Sequence, residues 1–203
     1  SAMSSENLGN HFDIHCGGVD NMFPHHENEI AQSICYSGKK FVNYWLHSEF
    51  LLVDGGKMSK SLGNCFTISD LVKKGFTAES IRYQLLAGHY RTKISFSLNK
   101  KQEINKVISR INEFQSLLVD LGAQDIQIKE FPDSYYDFVE AMNDDLNTPK
   151  ALGIFHRWMR QMFKKLKTDS INKTEIGAAW NFLKNFDSVF SFLSKKSFKI
   201  PFK

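Results

Sequence analysis

The residues in this sequence best suited to chemistry form a short lysine-rich segment. Lys57 and Lys60 enclose a Met-Ser pair, and two glycines, residues 55–56, precede them. Lysine carries a mobile charge that suits a polyphosphate, a hydroxyl such as that of Ser59 can donate to a phosphate oxygen, and glycine permits close approach to the backbone. The spacing predicts a loop that binds nucleotide phosphates, and a merely solvated loop is the alternative.

A second group, Phe-Pro-His-His-Glu-Asn-Glu at residues 23–29, combines imidazoles with carboxylates. Pro24 suits the first turn of a helix, and the acidic residues favour the positive end of its dipole. On that helix His25 and Glu29 are spaced i, i+4 and share one face. An imidazole beside a carboxylate forms half of a tetrahedral zinc site. A hydrogen-bonded surface pair is the alternative.

The composition is that of a globular protein without secretion or membrane signals. The 203 residues are 42% hydrophobic and 24% charged, which allows one or two domains. Three scattered cysteines are too few for a disulfide framework and favour a reducing compartment. No apolar run approaches about 18 residues, and the N-terminus lacks the features of a signal peptide. We therefore expect a cytoplasmic protein, whose net charge of +4 permits a polyanionic partner without requiring one.

The first third of the chain predicts an α/β arrangement. Residues 11–15 alternate as a short strand that ends at the glycines of 17–18, and the helix beginning at Pro24 follows. Residues 41–50 predict a buried helix end, and residues 51–53 a core strand before the lysine loop. Ligands of such sheets bind beyond the carboxyl ends of the strands, where both motifs would lie.

Two short helices with a basic surface come next. Ser69 and Thr77 are the expected N-caps of helices at residues 70–74 and 78–86. The accompanying polar and cationic residues are Lys73, Lys74, Arg82, His89, Tyr90, Arg91 and Lys93. A solvated face is one interpretation of these charges, and sequence-independent contact with nucleic-acid phosphates is the other.

From about Leu98 the apolar residues recur at helical spacing in four segments. The first ends at Gly122, the second follows Pro132, and the third is expected to have Thr148 as its N-cap and Pro149 in its first position. The stripes of the last two segments are Leu152, Phe155, Met159, Met162, Phe163 and Leu166, and Ile176, Trp180, Leu183, Phe186, Phe190 and Leu193. Short connections predict an antiparallel bundle with these residues in its core.

Three motifs together resemble those of the cysteinyl-tRNA synthetases, which are class I aminoacyl-tRNA synthetases. They are Lys-Met-Ser-Lys-Ser at residues 57–61, His-Cys-Gly-Gly-Val-Asp at 15–20 and Pro-His-His-Glu-Asn-Glu at 24–29, and the resemblance extends over essentially the whole chain. It implies that Lys57 and Lys60 are catalytic and neutralise charge on the β- and γ-phosphates of ATP, with Mg²⁺ assisting. The ATP-binding residues that it implies are Lys60, Ser59, Gly18, Asp20 and His15.

The same resemblance assigns the metal and tRNA contacts. His25 and Glu29 would hold one Zn²⁺ that binds the thiolate of L-cysteine, with two further cysteine ligands outside this chain. Cys16 stands where the family usually has glycine or a small residue, and we interpret it as incidental. For the basic region as a whole, the resemblance implies contact with phosphates of tRNA(Cys) near the inner corner of its L shape, and within that region we expect Arg82 and Arg91 to make this contact.

Departures from the family pattern predict that the chain is the C-terminal half of a longer enzyme. No His-x-Gly-His occurs, and the family's zinc cysteine precedes a Ser-Ala-Met such as that of residues 1–3. The implied fold is α/β followed by all-α. Residues 1–68 would form the second half of a Rossmann-like catalytic domain, 69–97 a short helical stem-contact connector, and 98–203 an antiparallel, tRNA-binding helical bundle. We expect a monomer that is inactive in isolation.

The implied activity is ATP-dependent ligation of L-cysteine to tRNA(Cys) through cysteinyl-adenylate. A tRNA-independent ligase that joins cysteine to an amino-sugar shares both motifs, but the long bundle and the basic connector weigh against it. A non-catalytic tRNA-binding module would explain the missing first-half motif. A zinc hydrolase is disfavoured because the sequence has no His-Glu-x-x-His.

Overall fold

The structure is a computed structural model that describes residues 1–59, 63–126, 129–168 and 170–193. The chain forms two compact units, and each is described by itself below. The first consists of residues 1–58 with 90–95, and the second of residues 59–89 with 96–203.

The first unit is built on a parallel pair of strands. Helix α1 (Ala2–Leu8) leads into strand β1 (Phe12–Gly18), which is followed by helix α2 (Glu27–Ser37) and strand β2 (Val42–Ser48). Strands β1 and β2 pair in parallel, in a continuous register from their first residues to their last. A helix between two parallel strands is the βαβ crossover. The strand expected at residues 11–15 is confirmed.

The prediction of a helix end at residues 41–50 is wrong, because this segment forms strand β2. Its residues are mostly aromatic and branched, which are the types that pack well on a pleated surface. Phe41 and Val42 are buried where the strand begins. Pairing with β1 satisfies the backbone hydrogen bonds of the segment and so overrides any local tendency to form a helix.

Lys57, the first residue of the lysine-rich segment, lies in a β-hairpin of the first unit. Strand β3 (Leu51–Val53) confirms the predicted core strand, and it pairs antiparallel with strand β4 (Gly56–Lys57) across a two-residue turn. Both turn residues have positive φ, 47° at Asp54 and 81° at Gly55, as a type I′ turn requires. The third strand, β5 (Ile94–Phe96), lies on the other side of β3.

The second unit begins with two capped helices. Helix α3 (Ile68–Lys73) is capped by Thr67 in a capping box with Asp70, so the prediction of Ser69 as the cap is wrong by two positions. The hydroxyl of Thr67 accepts from the third helical N–H, a geometry that Ser69 cannot offer from inside the helix. Helix α4 (Ala78–Leu86) is capped by Thr77 as predicted.

Four helices complete the second unit and share one core, which confirms the predicted bundle. They are α5 (Lys101–Asp120), α6 (Asp133–Asn143), α7 (Thr148–Lys167) and α8 (Lys173–Phe190). The core is rich in fully buried phenylalanines, and the rings of Phe155 and Phe186 stack with centroids 3.5 Å apart. Within the described ranges no helix combines the length and the apolar character needed to cross a membrane.

The ends of two bundle helices are fixed by side chains. Asn147, not Thr148, caps α7, because its side chain accepts from the Lys150 N–H. At the end of α8, Asp187 Oδ1 accepts from the backbone N–H groups of Phe192 and Leu193, at 2.7 and 2.8 Å. The guanidinium of Arg82 donates to carbonyls of the last turn of α8, which ties α4 to the bundle.

A second link between α4 and the bundle contains a titratable group. The hydroxyl of Tyr83 lies 3.0 Å from Nε2 of His156 on α7. Burial, with the nearby positive charges of Arg160 and Arg110 acting in the same direction, lowers the pKa of His156 from 6.5 to about 4. The folded protein therefore keeps this imidazole neutral.

We predict that His156 makes the protein less stable in mild acid. In the unfolded chain His156 binds a proton near pH 6.5, whereas in the folded chain it does so only near pH 4. The contribution of the neutral imidazole to the free energy of unfolding is therefore fully present above pH 6.5 and is lost as the pH falls through this window. The loss should reach about 2 kcal/mol by about pH 5. Urea unfolding at several pH values would measure it.

The matched control is His156→Gln, which keeps a hydrogen-bonding group opposite Tyr83 but cannot titrate. The free energy of unfolding of this variant should fall less between neutral pH and pH 5 than that of the original protein. Equal pH slopes in the two proteins would show that the proton uptake occurs elsewhere.

Candidate functional site

A cluster of imidazoles and one carboxylate lies within the first unit. The ligand atoms of His15, His26 and Glu29 all lie within 4.8 Å of one another. Nε2 of His15 is 3.1 Å from Oε2 of Glu29, and the amino nitrogen of Ser1 is 3.2 Å from its Oε1. The carboxylate of Glu29 is therefore the centre of this cluster.

The pairing of β1 with β2 and the local sequence bring these groups together. His15 lies opposite Trp45 in the strand register, and Gly17 opposite His47. Gly17 is required for the packing of His26, since a Cβ at this position would lie 2.5 Å from Cε1 of the ring. Any larger residue at position 17 would push the imidazole of His26 out of the cluster.

His26 is fixed from several sides. Its side chain is buried, Nδ1 lies 2.8 Å from Nε2 of His47, and its ring packs 4.8 Å from that of Trp45. Burial lowers the pKa of His26, with the neighbouring His15 and His47 acting in the same direction. The neutral imidazole that results retains a lone pair, as metal coordination requires.

The donor set fits a zinc ion. Oε2 of Glu29 is buried and accepts no hydrogen bond from the described residues, because His15 is near it without being aligned as a donor. A carboxylate oxygen with a free lone pair beside two imidazoles is the kind of site that Zn²⁺ takes in proteins. Three such groups leave a coordination position for a further ligand.

His25, predicted as a ligand, lies at the edge of this cluster. It is exposed, and its ring centroid is 5.5 Å from that of His26. The helix expected from Pro24 begins at Glu27, and the backbone of the preceding segment, Met22–His26, is non-helical at Phe23. The described structure brings His26, and not His25, beside Glu29.

His26, His47 and Trp45 were not recognised from the sequence. His26 directly follows His25, and spacing alone does not decide which of the two imidazoles lies beside Glu29. A helix end at residues 41–50 does not place His47 and Trp45 beside His15. In a strand these two side chains lie on the face that carries His15.

The predicted nucleotide-binding residues lie at the carboxyl end of β1 and on the hairpin. Gly18 ends β1, and a Cβ there would collide with Oδ1 of Asp20 in the turn that follows. Lys57 lies on β4, and the backbone N–H of Ser59 donates to Oδ1 of Asn64 at 2.8 Å. Lys60 lies outside the described residues.

The two predicted tRNA contacts differ in their surroundings. Arg82 is exposed but holds the end of α8, with Nε donating to the carbonyl of Phe190 at 2.6 Å. Arg91 is exposed, and its guanidinium lies 5.3 Å from the ring centroid of Tyr90. The contact of Arg82 gives it a structural role in the bundle, whatever else it binds.

Two family models match the chain. Residues 1–108 match the tRNA synthetases class I (C) catalytic domain, and residues 137–194 match the DALR domain. The first match covers both the metal-suited cluster and the β3–β4 hairpin with Lys57, and the second covers the end of α6 and all of α7 and α8.

Curated relatives and solved structures agree with these matches. The chain is 42% identical to a cysteine–tRNA ligase of Protochlamydia amoebophila over 99% of its length, and 47% identical to one of Chlamydia muridarum over 85%. It spans 43% and 38% of these two relatives. A solved LeuRS–tRNA–LeuAMS complex from Agrobacterium radiobacter shares the fold, with a TM-score of 0.71 at 16% identity over 88% of this chain and 25% of the other.

A methionyl-tRNA synthetase of Mycobacterium tuberculosis, solved with methionyl-adenylate, also shares the fold. The TM-score is 0.53 at 17% identity, over 84% of this chain and 38% of the other. Because the first family model matches residues 1–108 and the curated relatives are cysteine–tRNA ligases, the chain belongs to the class I aminoacyl-tRNA synthetases, in the family of the cysteine–tRNA ligases.

Proposed function

We propose that this chain is part of an enzyme that attaches L-cysteine to tRNA(Cys) through cysteinyl-adenylate. The observation that carries the proposal is the cluster of His15, His26 and Glu29, which suits a thiol-binding zinc ion, in a chain of the class I synthetase family. The domain roles proposed are catalytic for residues 1–68, stem-contacting for 69–97 and tRNA-binding for 98–203.

The metal would be held by Glu29 and by one imidazole of the His25–His26 pair. The resemblance to the family favours His25, and the geometry favours His26. The nitrogen of Ser1 lies 3.2 Å from Glu29, so a residue that preceded Ser1 in a longer protein would enter the same cluster.

Bound zinc would supply a Lewis acid that prefers the thiolate of cysteine to the hydroxyl of serine. Size alone distinguishes such similar substrates by only about 10–200-fold. The protein residues orient the site: His47 contacts Nδ1 of His26, and Gly17 makes room for its ring. A fixed set of ligands is needed for reliable rejection of serine.

The adenylation step requires charge neutralisation at ATP. The carboxylate of cysteine would attack the α-phosphate, the bond to the β-phosphate would break, and pyrophosphate would leave. Lys57 and Lys60, with Mg²⁺, would stabilise the negative charge that develops on the leaving group. Gly18 and Asp20, at the carboxyl end of β1, would lie near the ribose.

We predict that Lys60→Ala in the longer enzyme slows ATP–pyrophosphate exchange by about 10²- to 10³-fold, the usual effect of losing one charge contact in a transition state. Cysteine affinity should change little. The control variant is Lys39→Ala, which removes an exposed lysine just beyond the end of α2 and should leave exchange intact. An effect confined to cysteine affinity would contradict the assigned role.

We also predict that Glu29→Gln in the longer enzyme lowers zinc content and weakens the rejection of serine, while ATP binding is nearly unchanged. Metal analysis and serine-dependent pyrophosphate exchange would measure both effects. Metal analysis of His25→Asn and His26→Asn would identify the imidazole ligand. Only the variant that has lost the ligand should lose metal as strongly as Glu29→Gln. Full zinc occupancy of Glu29→Gln with unchanged serine rejection would place the selectivity elsewhere.

A further inference from the structure

Helix α7 has a charge unlike that of the rest of the chain. Between Thr148 and Lys167 it contains six Lys and Arg residues and no Asp or Glu. The whole chain has 26 Lys and Arg against 22 Asp and Glu. The positive surplus of the protein is therefore concentrated in this one helix of the bundle.

Four of these cations form a stripe on the surface. At about 100° per residue, Arg157, Arg160, Lys164 and Lys167 fall within an arc of about 80° and extend over about 15 Å of helix. All four are exposed, and within the described ranges none of them forms an ion pair with an acidic residue. We call these four residues the α7 stripe.

The remaining lysines of α7 differ from the stripe in having acidic partners. Lys165 points away from the arc and is paired with Glu175 of α8. Lys150, in the first turn, lies 4.0 Å from Asp144. The cations of the stripe thus remain available to an anionic partner, whereas Lys165 is already neutralised by a neighbour.

A glycine and a further arginine border the stripe. Gly153 lies in the same arc, and a Cβ at this position would meet no atom within 4 Å, so packing does not require a glycine there. A helix-interior glycine costs about 1 kcal/mol relative to alanine, and it leaves bare backbone that a ligand can approach closely. Arg110 of α5 lies over the ring of Phe163, 5.1 Å from its centroid, and adds a cation beside the stripe.

The burial of α7 decides which kind of anion it fits. A cationic amphipathic helix that lies in a lipid surface buries its apolar face in the membrane, so that face must be free. The apolar face of α7, which includes Phe155, Met159 and Phe163, is buried in the bundle core. The charged face alone is presented, as a narrow row of cations suited to the phosphates of a nucleic-acid backbone.

We propose that the α7 stripe binds the phosphate backbone of RNA, and that it is the principal tRNA-contacting surface of the bundle. This inference rests on the proposed function for the identity of the RNA. The contacts would be sequence-independent, and Gly153 would allow the backbone of α7 to approach a phosphate. Arg82, which holds the carbonyls of α8, would contribute less to RNA binding than the stripe does.

The test is the affinity of this 203-residue chain for unfractionated tRNA, measured by fluorescence anisotropy over a range of salt concentrations. The double variant Arg160→Gln/Lys164→Gln should bind at least about tenfold more weakly near 0.1 M salt. For this variant the slope of log affinity against log salt concentration should be less negative by about 1.5 to 2, which corresponds to two lost phosphate contacts. The melting curve should not change, since both side chains are exposed.

The control is Lys165→Gln together with Lys150→Gln, which removes the same charge from the same helix but from cations that have acidic partners. This variant should bind tRNA like the original chain. Equal weakening in both double variants would show that only net charge matters and would overturn the proposal. Stronger binding to anionic phospholipid vesicles than to tRNA would also overturn it.

Failure of this inference can be separated from failure of the proposed function. In the longer enzyme, Arg160→Gln/Lys164→Gln should raise the KM for tRNA and leave cysteine-dependent pyrophosphate exchange, which needs no tRNA, unchanged. Normal exchange with an unchanged KM would contradict the stripe alone. Absence of cysteine-dependent exchange in the original longer enzyme would contradict the proposed function.

Discussion

The parallel register between β1 and β2 is the constraint on which the metal-suited cluster depends. It places His15 opposite Trp45 and Gly17 opposite His47, on the face toward which the turn after β1 directs His26. A slip of one strand by one residue would turn all of its side chains to the other face, because the side-chain period of a strand is two. The chemistry of the first unit therefore depends on backbone hydrogen bonds between β1 and β2, which involve none of the side chains of the cluster.

The bundle uses its cations in two distinct ways. Arg82 donates to the last carbonyls of α8, where a positive charge also opposes the negative end of the helix dipole. The cations of the α7 stripe, by contrast, have no acidic partner among the described residues. A positive charge that already satisfies backbone carbonyls is a poor candidate for RNA binding, whereas a row of exposed cations without partners is a good one.

The two links between α4 and the bundle also differ in their sensitivity to pH. Arginine remains charged throughout the physiological range, so the contact of Arg82 with α8 is constant. The contact of Tyr83 with His156 depends on a neutral imidazole in a buried position. Proton uptake at His156 would place an uncompensated charge beside Arg110 and Arg160, which is why this link is the weaker one in acid.

The sequence by itself determined the family and the α/β-then-helical order of elements, because motifs and periodicity are local properties. It also determined most helix ends, with errors of one or two residues at Ser69 and Thr148, where neighbouring hydroxyls and amides compete as caps. Only the tertiary structure decided that residues 42–48 form a strand, that His26 joins Glu29, and that Arg82 is engaged by α8. Each of these three outcomes depends on a contact between segments distant in the chain or on the local backbone before α2, and neither is encoded in the spacing of the residues concerned.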